Sequence, residues 1–332
     1  MNQSRKPMFG RRQLVFGGLA GGLTLSTLTS AQTDYPTRPI RVIVPFAAGS
    51  ATDIMMRILE QHMSRSLGQQ LVLENRPGAS GVIGADLARR AAPDGYTLVM
   101  DAASSHSIVA ATRPKTLPYN LLTDFTAIGR ACTSANLIAV NPSVPAKNLP
   151  ELIAYSNTIP AGLSFASGGP GSSNGLAGEM LRLKGARIVS VPYNDTNRAV
   201  TDVIAGHIPI LIYTVALLPH IRSGRLRGLA VTSEQRVRQA PDIPTAIEQG
   251  VPGMVANSWF GLFGPAGLPI HMRDKLHNAL AAAVYDPDIN NKLVEAGLEP
   301  AILKPAETDA YVASQISLWK DVISRGGVKL DE

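Results

Sequence analysis

The chain has 332 residues, 45% hydrophobic and 17% charged, with 31 Lys and Arg against 25 Asp and Glu. That balance excludes a disordered chain and a membrane bundle, and the length allows two packed domains. Arg5, Lys6, Arg11 and Arg12 stand in the first 31 residues, where there is no acid; the remaining 27 basic residues against 25 acidic give no reason to expect a nucleic acid or other polyanion as partner.

Residues 1–31 read as an export signal. Basic residues run to Arg12, the uncharged "QLVFGGLAGGLTLSTLT" follows, and Thr29-Ser30-Ala31 offers a small-residue cleavage site, so cleavage is expected after Ala31. Arg11-Arg12 before Gln-Leu-Val resembles a twin-arginine signal, with the general secretory route as the alternative. No later stretch supplies the roughly 20 uncharged apolar residues of a span, so the mature chain is expected outside the membrane, in the periplasm. The single cysteine, Cys132, has no disulfide partner within the chain and reads as a small buried apolar residue.

From Ile40 the pattern alternates: strand 40–44, helix 53–67 ended by Gly68, strand 70–74, helix 82–91, a turn at Pro93-Asp94-Gly95, strand 96–100. A second set follows: "LIAVN" from Leu137, helix 150–157, strand 163–166, helix 173–184, strand 188–191, helix 198–205, and strands 208–213 and 226–232. Such alternation implies parallel sheets with helices on their faces, hence two similar α/β lobes. Three final helices, 269–284, 287–296 and 305–324, carry amphipathic stripes and are assigned to the first lobe, which lacks cover. The expected division is 32–132 with 258–332 as the first lobe and 133–257 as the second. Two crossings between lobes make a hinge, and a hinge places a ligand in the cleft.

In "VPFAAGSATD", Val44 to Asp53, Ser50 and Asp53 are spaced to form a capping box, with Asp53 expected to reach back to the Ser50 amide. Ala47, Ala48, Gly49 and Ala51 leave amides unshielded at a helix start beyond a parallel strand, where anions bind. Neither Gly-Lys-Ser/Thr nor Gly-x-Gly-x-x-Gly is present, so a carboxylate fits better than a nucleotide. "SGGPGSSNG", Ser167 to Gly175, repeats the arrangement in the other lobe. Gly171 to Gly175 also matches Gly-x-Ser-x-Gly, which keeps a secreted serine hydrolase using Ser173, with Asp202 and His220, as an alternative; the loop before Ser173 is longer than a nucleophile elbow allows. His62, His106, His207, His220, His271 and His277 show no metal-binding spacing, and no metal or cofactor is expected. Tyr193 in "VPYNDT" and Trp259 in "NSWFGLFGPAG" read as packing residues first and ligand contacts second.

"YPTRPIRVIVPFAAGSATDI", "ENRPGASGVIGA", "AAPDGYTL", "NPSVPAKNLPELI", "FASGGPGSSNGLAGEML", "LPHIRSGRLRGLAVTS", "PDIPTAIEQGVPG" and "SWFGLFGPAGLP" together resemble the periplasmic solute receptors of tripartite tricarboxylate transporters, the Bug family. The resemblance runs in order from Tyr35 to the C-terminus. It implies a two-lobed α/β fold of the periplasmic binding-protein type (type II-like), each lobe a mainly parallel sheet flanked by helices. It also implies a monomer that closes on a small carboxylate and delivers it to membrane permease subunits, or in a variant reading signals to a sensor kinase. The loops holding the carboxylate correspond to Phe46, Ala47, Ala48, Gly49, Ser50, Thr52 and Asp53, and to Ser167, Gly169, Ser172, Ser173 and Asn174. The family loop is closer to Pro-Phe-Ala-Pro-Gly-Gly-x-Thr-Asp, so Ala48 and Ser50 are departures, and Ala48 supplies an amide that proline lacks.

In "HIPILIYTVALLPHI", Tyr213 falls where relatives carry an aspartate, which disfavours an amino-acid ligand. Tyr213 and Thr214, with Tyr193 and Asn194, are expected in the cleft, and Ser104, Ser105 and His106 in "MDAASSHSIV" are expected to donate to a distal acid group. The alternative for His106 is a solvated loop residue. The implied ligand is a dicarboxylate, with a flat body such as a phthalate isomer favoured over an aliphatic one.

Overall fold

The structure is a computed structural model that describes residues 34–193 and 195–328, with the backbone alone at 104 and 105. The expected export signal and Asn194 lie outside the described residues.

The first run is β1 (Ile40–Val44), α1 (Ala51–Leu67), β2 (Leu71–Asn75), α2 (Val82–Arg89), β3 (Thr97–Ala102), α3 (Val109–Thr112) and β4 (Phe125–Ser134). The second is β5 (Asn136–Val140), α4 (Leu149–Thr158), β6 (Leu163–Ser167), α5 (Ser173–Leu183), β7 (Ile188–Pro192), α6 (Thr196–Ile204), β8 (Ile210–Thr214), α7 (Leu218–Arg222) and β9 (Arg227–Val231). The chain ends with β10 (Ser258–Pro265), α8 (Ile270–Tyr285), α9 (Pro287–Glu295), β11 (Glu299–Leu303) and α10 (Pro305–Gly326).

Local chemistry sets these boundaries. Ser50 caps α1 and Gly68 ends it in the left-handed region at φ 70°. Asn148 caps α4 ahead of Pro150, and Asp286 caps α9 ahead of Pro287. Along α1, Met55, Met56, Leu59, Met63 and Leu67 make a buried stripe.

The first sheet has the order β11-β4-β10-β3-β1-β2 and the second β7-β6-β8-β5-β9. In each, three parallel strands (β2-β1-β3 and β7-β6-β8) are extended by antiparallel ones. The expected flanked α/β sheets are present, but they are mixed and not mainly parallel, because β4, β5, β9, β10 and β11 pair antiparallel. β4, β10 and β11 are strands that the alternation did not announce. The chain leaves the first sheet at Ala135 and returns between Val231 and Ser258.

One face of the first sheet packs Val42, Met100 and Leu262 against α1, α8 and α9. The other face meets α10, whose Val312, Ile316 and Trp319 join a core that continues through α5 of the second sheet. α10 therefore reaches further than the expected cover of one lobe, and Arg182 of α5 donates to the carbonyl of Gly326. The remaining face of the second sheet packs Leu137, Ala166 and Leu211 on α6 and α7. Cys132 is fully buried, which pushes its thiol up to about 12. β1 and β6 are thus the central strands of matching parallel triplets, and their carboxyl ends are the places where such sheets hold ligands.

Candidate functional site: two small-residue cups

The first cup joins β1 to α1. Ser50 accepts from the Asp53 amide (3.3 Å), as a cap should, but the reciprocal bond differs from expectation. Asp53 Oδ2 takes the Gly49 amide (2.9 Å), and the Ser50 amide turns to Ala47 O (3.1 Å). Gly49, at φ 81°, lets the loop curl back over the carboxylate. Asp53 also accepts from Arg57 Nε and Asn75 Nδ2 (2.9 Å each), while Asn75 donates to Phe46 O (3.0 Å). Asp53 is 2% exposed and Thr52 3%, so both side chains build the cup from beneath. Ala47, Ala48, Gly49 and Ala51 face solvent, and the first-turn amides of Ala51 and Thr52 have no acceptor within the helix.

Burial alone would raise the Asp53 carboxyl, but the bonds from Arg57, Gly49 and Asn75 outweigh it and hold the group below its ordinary 3.8. A lowered carboxyl contributes stability that is complete above the ordinary value and lost as pH falls through the lowered one. Asp53→Asn is therefore expected to flatten the acid limb of a melting-temperature profile below about pH 4 and to cost about 2 kcal/mol at pH 7.

The second cup joins β6 to α5. Ser172 Oγ accepts from the Gly175 amide (3.1 Å) and lies 2.7 Å from Gly169 O and 2.6 Å from Asn174 Oδ1. Asn174 Oδ1 accepts from the Gly168 amide (2.9 Å), and Ser167 Oγ from the Gly169 amide (3.2 Å). Ser167 and Asn174 are buried, so they too shape the loop from within, while Gly168 and Gly171 are exposed. A Cβ at Gly175 would stand 1.8 Å from Gly169 O, which fixes glycine there.

Ser173 Oγ receives a hydrogen bond from Asn136 Nδ2 (3.2 Å). Asp202 accepts from Tyr193 Oη (2.8 Å) and lies 3.6 Å from His207, while His220 Nδ1 has no partner among the described residues. The candidate triad of Ser173, Asp202 and His220 is therefore not assembled.

Of the remaining expected contacts, Tyr193 commits its hydroxyl to Asp202 and its amide to Ser167 O (2.8 Å), which ties it to the second cup. Tyr213 pairs across to Leu137 and packs half-buried on the second-sheet core. Thr214 opens the turn after β8 and, with Val215 and Ala216, lines a cavity of about 480 Å³ that Ala51 and Ser134 line from the first-sheet side. The start of α1 and the end of β8 thus share one space.

His106 needs correction on both counts. Its ring is 0% exposed, with Nδ1 2.8 Å from Asp101 Oδ2, stacked on Phe263 at 4.5 Å and edge-on to Phe125 and Trp259. It is neither solvated nor placed to donate to a solute. The chain there forms a π-helical turn, Ser104–Ile108, which rotates the imidazole into the core; the side chains of Ser104 and Ser105 lie outside the described residues.

Two site residues escaped the sequence. Asn75 props the first cup. Asn136, 0% exposed, donates to Ala256 O and Ser173 Oγ, while its backbone exchanges bonds with Thr232. It joins both crossings to the second cup. The available signal was a lone amide at the head of an apolar strand.

The family model "Tripartite tricarboxylate transporter family receptor" matches residues 55–328. BugT of Bordetella pertussis is 35% identical over 303 residues, 91% of this chain and 93% of that protein. Among solved structures, an R. palustris protein with adipate (31% identity, TM-score 0.75) covers 89% of this chain and 99% of its own. MatC of Rhodopseudomonas palustris with bound malate (31%, TM-score 0.71) covers 87% and 100%. The periplasmic binding protein BugD (32%, TM-score 0.73) covers 89% and 99%, and these matches show the two-lobed periplasmic binding-protein fold. The chain belongs to the tripartite tricarboxylate transporter receptor family, whose members are periplasmic solute-binding proteins and not enzymes.

Proposed function

We propose that this receptor captures a small dicarboxylate between its lobes and delivers it to membrane permease subunits. The observation that carries the reading is the pair of cups: two loops of small residues, each beyond a central parallel strand, each opening amides at a helix start. Capture exchanges the water around a carboxylate for these fixed donors, and a ligand touching both cups favours closure. Adipate and malate in the two R. palustris proteins are both dicarboxylates. The moving bodies are proposed as 32–132 with 258–332 against 133–257, in a monomer exported by cleavage after Ala31.

Within the dicarboxylates, Tyr213 favours a flat body such as a phthalate isomer, whereas both neighbouring ligands are aliphatic. A thermal-shift panel of phthalates, adipate, malate, amino acids and citrate separates these readings. Stabilisation by a phthalate above adipate and malate is the expected result; stabilisation by amino acids or citrate alone sinks the dicarboxylate reading. For the best ligand, Ala48→Pro removes one cup amide and is expected to weaken binding about tenfold, measured by calorimetry.

A further inference from the structure

A cavity of about 410 Å³ lies along the crossings between the sheets, apart from the cups. Ala135, Val255 and Asn257 line it from the crossings, Arg130, Thr133 and Tyr311 from the first sheet and α10, and the segment 233–237 from the second-sheet side.

Its charged side chains are not equivalent. Arg236 is paired with Glu248 (2.9 Å), and Glu299 with Arg238 (3.0 Å). Glu234 is exposed. Arg130 is half-buried: its Nε donates to Ala301 O (2.9 Å), and its guanidinium carbon stands 4.4 Å over the Tyr311 ring. Among the described residues no carboxylate lies within ion-pair distance of it. Stacking and the Nε bond fix the plane of the fork and leave its terminal nitrogens without a counter-ion, the arrangement that recognises a carboxylate through two parallel bonds. An arriving anion gives this half-buried cation the ion-pair contact that the exposed Glu234 on the same wall does not make.

We propose that this cavity is a second anion site, for a small carboxylate held by Arg130. Because its walls come from both sheets and both crossings, an occupant braces the lobes against one another, independently of the solute in the cups.

The test is an acetate titration of the mature chain, read by 15N NMR of arginine side chains, with chloride at matched ionic strength as control. The expected result is one saturable arginine shift with acetate and none with chloride. Arg130→Lys, which keeps the charge but not the fork, should lose that resonance and weaken acetate binding at this site about tenfold or more by calorimetry. Ala48→Pro, at the first cup, should leave the shift unchanged, so failure of the cup reading does not imitate failure of this one. A shift that survives Arg130→Lys, a shift abolished by Ala48→Pro, or no saturable response to acetate overturns the proposal.

Discussion

Replacing Asn136 with alanine is expected to lower stability by about 3 kcal/mol, because the change removes two hydrogen bonds, leaves the Ala256 carbonyl with the Thr232 hydroxyl alone (3.0 Å) and empties the space between the two crossings. Denaturant unfolding measures the loss directly. Ser173→Ala removes one partner of the same amide and is expected to cost about 1 kcal/mol or less. If the two variants are equally mild, Asn136 does not tie the crossings together. On the proposed closure, solute affinity should fall in Asn136→Ala as well, since the crossings that this side chain holds are the ones proposed to bend.

Gly175→Ala should have the other large effect, of a different kind. The new methyl would meet Gly169 O at 1.8 Å, and that atom belongs to the backbone of the cup itself. The loop must move, at about 3 kcal/mol, and its amides move with it. Gly178→Ala is the informative control: there a methyl would meet the Phe165 ring at 2.2 Å, within the core beneath the cup. Both variants should melt early. Only Gly175→Ala should also lose binding of the carboxylate that best stabilises the unaltered protein, measured by calorimetry well below either melting point.

The sequence carried the βαβ runs, because half-buried strands and capped helices leave a local pattern, as Ser50, Gly68 and Ser172 illustrate. It did not carry β4, β10 or β11. β10 reads Ser-Trp-Phe-Gly-Leu-Phe-Gly-Pro and is buried on both faces, so no alternation marks it. β4 is largely buried on both faces too, and β11 is half-buried throughout and opens on Glu-Pro. Both cups were legible as small-residue loops between strand and helix, whereas their internal wiring was not. Which amide Asp53 would take depends on how Gly49 curls, and the burial of His106 depends on Phe125, Trp259 and Phe263, residues far from it in the chain.

The position of β10 bears on how the molecule assembles. β10 lies between β3 and β4, yet it is synthesised only after every strand of the second sheet. Until the ribosome passes residue 265, β3 and β4 each lack a neighbour, and the first half of the chain holds an unfilled slot of apolar backbone. Such late, long-range closure slows folding and exposes sticky edges meanwhile. Any folding intermediate in which β10 has not docked therefore leaves the facing edges of β3 and β4 open.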